Sequence, residues 1–85
     1  MDMAKLYGKV VERFTRRPVH GATVRIAGSV AYTDDQGLFN VDAPMGNYQM
    51  IIQHPQYRAS TRNLSLSTPS SNIGEIQVDS VIRAL

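Results

Sequence analysis

The chain has 85 residues, a net charge of +2 and no cysteine. Such a length allows one domain with a modest core. The missing thiols remove disulfides, thiolate metal sites and cysteine nucleophiles together.

Period-two patterning runs through the chain from its start, and no helical stripe interrupts it. LYGKVVER at 6–13 is rich in strand formers. It sets Leu6, Gly8 and Val10 on one face and Tyr7, Lys9, Val11 and Arg13 on the other. FTRRPVHG follows as a connection, where Pro18 excludes a central ladder position. ATVRIAG alternates Ala22, Val24 and Ile26 against Thr23, Arg25 and Ala27. Gly28 and Ser29 punctuate it, and VAYT at 30–33 is a short strand.

TDDQG then reads as a turn that shapes a hairpin. Gly37 supplies the positive φ, and Asp34 and Asp35 accept backbone hydrogen bonds. LFNVD at 38–42 points Phe39 and Val41 inward. APMG turns again at Gly46, and NYQMIIQ at 47–53 sets Tyr48, Met50 and Ile52 inward. HPQY is a turn. ASTRNLSLS at 59–67 is a long polar strand with Leu64 and Leu66 on one face. TPSSN is a loop, and IGEIQVDSVI at 73–82 closes the fold, with Val78 inward. Gly21 lets the second strand start in a crowded place. About seven short strands at this spacing predict an all-β sandwich or barrel in a single domain spanning 1–85, with its core at about 6–78.

The order of these pieces resembles the carboxypeptidase regulatory-like domain. The resemblance rests on Gly8, Val10, Pro18, Val19, Gly21, Ala22, Val24, Thr33, Asp34, Gly37, Phe39, Gly46, Tyr48 and Tyr57. It implies a seven-stranded prealbumin-like (transthyretin-like) β-sandwich with Greek-key, immunoglobulin-like character. It also implies a non-catalytic accessory module, often extracytoplasmic and set beside peptidase, receptor or adhesin domains.

Chemistry-bearing residues are sparse. Asp34 and Asp35 form one adjacent pair, whereas a calcium loop needs six or more oxygens. His20 and His54 are the only histidines, too few for zinc on their own. No metal or other cofactor is expected. YRAS at 57–60 is similar to the C-terminal signature of a transthyretin-related hydroxyisourate hydrolase. It lies mid-chain, however, with Ala59 in place of glycine, and no histidine stands near Leu6-Tyr7-Gly8. No nucleophile elbow is present. Lys5 or Lys9, Asn72 and Glu75 are the residue types of an intramolecular isopeptide bond. Lys9 stands among polar-facing positions, and Asn72 precedes the last strand in this reading.

Arginine supplies seven of the nine basic residues. Arg13, Arg16, Arg17 and Arg25 form a candidate interaction patch, and Arg58 and Arg62 a smaller group. Stacking aromatics are missing except Phe14, read here as a loop anchor, so nucleic acid is not the expected partner. A carbohydrate or polyanion is the alternative. A protein partner is expected, with edge-strand homodimerisation as a further mode through ASTRNLSLS or VAYT. No apolar run approaches the roughly 18 residues that span a bilayer, so membrane insertion is not expected. The opening MDMAKLYGKVV lacks the pattern of a secretory leader. The absence of cysteine tilts the compartment towards a reducing one.

Overall fold

A computed structural model describes residues 3–81. It has seven strands: β1 Met3–Glu12, β2 Thr23–Ile26, β3 Ser29–Tyr32, β4 Leu38–Pro44, β5 Gly46–His54, β6 Tyr57–Leu66 and β7 Ser70–Val78. They form two sheets, ordered β4-β1-β7 and β3-β2-β5-β6. This is the expected seven-stranded, all-β, prealbumin-like sandwich.

Alternating apolar residues face inward from both sheets and fill one core. Leu6 and Val10 of β1, Val24 and Ile26 of β2, Phe39 and Val41 of β4, and Met50 and Ile52 of β5 are all buried. Leu66 and Val78 join them as expected, whereas Tyr48 and Leu64 pack against the core only half-buried. Ala4, Ala43 and Ile76 extend the core beyond the sequence reading.

Gly8 is buried because of its neighbour across the ladder. It pairs with Phe39, whose ring lies 2.6 Å from where a Cβ would stand. An aromatic ring laid over a strand glycine restores the packing that the missing side chain removes.

Three details depart from the sequence reading. Val11, expected to face solvent, is buried. The connection after β1 doubles back and bridges Val11 to Pro18, which covers it. The TDDQG turn does not close a hairpin, because β3 and β4 belong to different sheets. It carries the chain across the sandwich instead. Asn72 lies within β7, which begins at Ser70 and runs parallel to β1. That pairing satisfies backbone groups that a loop would have left to water. Ile82 of the predicted last strand, with the rest of IRAL, lies outside the described residues.

Candidate protein interface

Two acid-capped turns bracket one end of the sandwich. The first follows β1. Glu12 donates its N–H to the Arg17 carbonyl at 2.8 Å and accepts from Arg16 N–H at 2.9 Å, closing a tight four-residue loop. The Glu12 carboxylate caps that loop. Oε1 accepts from Phe14 N–H at 3.0 Å, and Oε2 from the Thr15 hydroxyl at 2.8 Å. The Phe14 backbone bond, then the Thr15 hydroxyl, hold the Glu12 carboxyl below its ordinary range, with help from the Arg17 charge. Arg16 closes the loop at φ 63°, a conformation that side chains other than glycine rarely adopt.

The outcome is a stiff loop that holds Phe14 outward, 84% exposed. Phe14 is therefore not the loop anchor expected from sequence. The loop's own backbone bonds position it, so no packing of the ring is needed.

Arg13 Nε meets Asp79 Oδ1 at 3.0 Å, and an Arg16 guanidinium nitrogen meets Glu75 Oε1 at 3.4 Å. Both acids lie on or just after β7. Arg13 and Phe14 line a cleft of about 660 Å³ with Arg58 and Asp79. Sequence proximity alone groups Arg58 with Arg62 instead. Its backbone N–H donates to the Asp79 carbonyl at 2.8 Å, which draws β6 to the end of β7. Arg25, by contrast, lies on β2 in the other sheet, paired with Val30 and Ile51. The four-arginine patch thus divides: Arg13, Arg16 and Arg17 share one loop and Arg25 does not. Glu12 was missed as a site residue, and its only signal was a carboxylate two residues before Phe14 and three before Thr15.

The second turn is TDDQG. Asp34 Oδ1 accepts from Gln36 N–H and Leu38 N–H, each at 2.9 Å. Gly37 is buried at φ 77°, where an added Cβ would strike the Val10 carbonyl oxygen. Its own carbonyl accepts from Val10 N–H at 2.8 Å. Thr33 is the buried polar residue of this corner. Its hydroxyl donates to the Val19 carbonyl at 2.6 Å and accepts from Ala22 N–H at 2.8 Å. The turn therefore clasps β1 and the β1–β2 connection. Gly21 does not sit in the crowded place expected of it: a Cβ there would meet open space, and glycine is called for by φ 78°, with its N–H donating to the Thr33 carbonyl. Gly46 stands at φ 147° against the Tyr48 ring, whose hydroxyl donates to the Met45 carbonyl at 3.3 Å.

Asp35 is almost wholly exposed and meets His20 Nε2 at 3.4 Å. His54 Nδ1 accepts from Gln56 N–H at 3.1 Å, so its proton is on Nε2, which donates to the His20 carbonyl at 3.0 Å. The two histidines are thus neighbours, while Arg58 lines the Phe14 cleft. Among the described residues, no group of three or more His, Cys, Asp or Glu could hold a metal ion. Nor is any helix among them long and apolar enough to cross a membrane.

Fold and turns together define a prealbumin-like β-sandwich module. The chain belongs to the carboxypeptidase regulatory-like domain family, whose profile matches residues 5–79. A search of curated proteins gives no match. Among solved structures, a chain of the type II cohesin–X-dockerin complex from Acetivibrio cellulolyticus is similar, with 26% identity and a TM-score of 0.69. That match covers 85% of this chain and 52% of the other, so this chain spans about half of that relative's length. A 9R-lipoxygenase from Cyanothece shares the fold at 12% identity and TM-score 0.68, over 91% of this chain and 16% of that enzyme. A DUF3823 family protein from Parabacteroides merdae shares it at 14% identity and TM-score 0.55, over 93% and 46% of the two chains.

Proposed function

We propose that this domain is a non-catalytic accessory module that binds a protein partner through the loop at residues 12–17. One observation carries the reading: Phe14 is 84% exposed on a loop whose backbone bonds and carboxylate cap hold it in place. A pre-ordered aromatic loses little entropy on docking, and aromatic and arginine side chains dominate interface energies. Arg13 and Arg17 flank it, which suits an apolar socket rimmed by carboxylates. The cohesin–dockerin relative comes from a protein–protein complex, which supports a binding role.

A photo-crosslinking residue at position 14 tests this in extracts of the source cells. The expected result is one partner that, once purified, binds the domain and loses at least about tenfold affinity with Phe14→Ala, as hot-spot aromatics do. Equal binding by Phe14→Ala refutes the loop as the interface. A hydrolase activity of the purified domain, abolished by one point change, refutes the non-catalytic role.

A second mode has its own observation. Over residues 60–66, past the register shift at its start, β6 pairs only with β5 among the described residues, and carries no proline and one charge, Arg62. The other edges are blunted: β3 has four residues, β4 carries Asp42 and Pro44, and β7 bulges at Gly74. An unblunted edge pairs readily with another strand. Sedimentation velocity should show a dimer that Thr61→Pro dissociates; a monomer at every concentration removes this mode.

A further inference from the structure

A shallow cavity of about 550 Å³ lies on the outer face of the β4-β1-β7 sheet. Its floor is one cross-strand row. Tyr7 of β1 pairs with Asn40 of β4 on one side and with Asn72 of β7 on the other, and all three line the cavity. Residues directly opposite each other share a face of the sheet. The row therefore presents one phenol ring with an amide at each side. Tyr7 is 38% exposed.

A bulge shapes this row. The β1–β7 register slips between Tyr7 and Lys9, and Gly74 takes φ 76° there. Asn72 Oδ1 accepts from Gly74 N–H at 2.8 Å. That bond fixes which end of the amide is the oxygen, and it leaves the NH₂ end of Asn72 to donate to a ligand. Bulges of this kind re-aim side chains beside binding sites.

The charges around the row cancel. Lys5, Lys9 and Arg16 stand against Asp34, Asp42 and Glu75. Lys5 lies 3.9 Å from Asp42, and Arg16 3.4 Å from Glu75. Such a face offers no net attraction to a polyanion. A protein interface of ordinary size would need a broader apolar centre than Tyr7 and Leu38 provide.

We infer that this face binds a neutral carbohydrate. The apolar C–H face of a pyranose ring rests on Tyr7, and the amides of Asn40 and Asn72 hydrogen-bond its hydroxyls. A few placed polar groups beside an aromatic surface are what orient such a ligand. The site shares no lining residue with the Phe14 cleft, although Arg16 of that loop reaches Glu75 at its rim, and it does not depend on a docking role for Phe14.

The test is a ¹⁵N heteronuclear titration of the full chain with cellohexaose, xylohexaose and maltohexaose. A heparin hexasaccharide serves as the anionic comparator. At least one neutral sugar should saturably shift the side-chain amides of Asn40 and Asn72 in the low-millimolar range, while heparin leaves them in place. Tyr7→Ala should weaken binding about tenfold or more, in line with loss of a stacking aromatic. Tyr32→Ala, on the other sheet, should not. Asn40→Ala, an exposed change, repeats the test if Tyr7→Ala does not fold. Three results each overturn the proposal: no shift with any neutral sugar, equal shifts with heparin, or shifts gathered around Tyr32.

Discussion

The TDDQG clasp and the Phe14 loop use the same local chemistry. In each, a carboxylate accepts the N–H two residues onward: Asp34 from Gln36, and Glu12 from Phe14. Each turn also contains a residue at positive φ, Gly37 in one and Arg16 in the other. Their surroundings separate them. The clasp is knit into β1 and the β1–β2 connection through buried Thr33 and Gly37. The loop bonds mainly to itself, with one backbone bond to the Val78 carbonyl and ion pairs to Glu75 on β7 and Asp79 just after it. Burial thus decides whether a turn holds the fold or displays a side chain, because hydrogen bonds and steric limits weigh most where water and free space are absent.

Gly37→Ala should break the comparison most severely. The methyl group meets the Val10 carbonyl in a conformation that alanine disfavours, so a loss of about 3 kcal/mol or more is expected, read by urea unfolding. Arg16 already tolerates positive φ in the open, so the difference comes from the collision and not from φ alone.

Thr33→Val keeps the shape and deletes the hydroxyl. It leaves Ala22 N–H and the Val19 carbonyl without that partner, and about 2 kcal/mol should be lost. An unchanged midpoint would show that water reaches this corner.

Phe14→Ser should change stability by about 0.5 kcal/mol or less, since the ring is exposed. A large loss in thermal unfolding would mean that the ring packs in solution.

The smallest effect is expected from Glu12, and it should be local. Its carboxyl is held below the ordinary 4.5, so the folded state favours the ionised form. The sign follows: the cap contributes fully above the ordinary value and fades as pH falls through the lower folded value. Exchange of the Phe14 amide should quicken in that acid window, while the thermal midpoint stays nearly constant. Glu12→Ala should give the quickened exchange at neutral pH and abolish the pH dependence. An amide whose exchange is unaltered by either change would remove the carboxylate cap.

Much of the clasp was legible because its residues are constrained one by one. Glycine, aspartate and threonine at 33–37 announce a turn by conformational need. That the turn crosses between sheets was not legible, since hairpins and crossings use the same residues. For the candidate interface, the arginines were visible, but their division was not. Arg25 follows Arg17 by eight positions and ends on the other sheet. Phe14 carried no signal of exposure, because an aromatic in a loop reads alike whether it anchors or protrudes.

The sequence by itself determined the seven strands and most of the core. Alternation of apolar residues and the placement of glycine, proline and aspartate are short-range properties, and each strand declares its inner face locally. Only the tertiary structure decided which strands share a sheet, that β1 and β7 run parallel, and that Phe39 lies over Gly8. It alone set Tyr7 between Asn40 and Asn72, residues far apart along the chain. Ladder register is fixed by contacts summed over a whole face, and no short stretch of residues contains that sum.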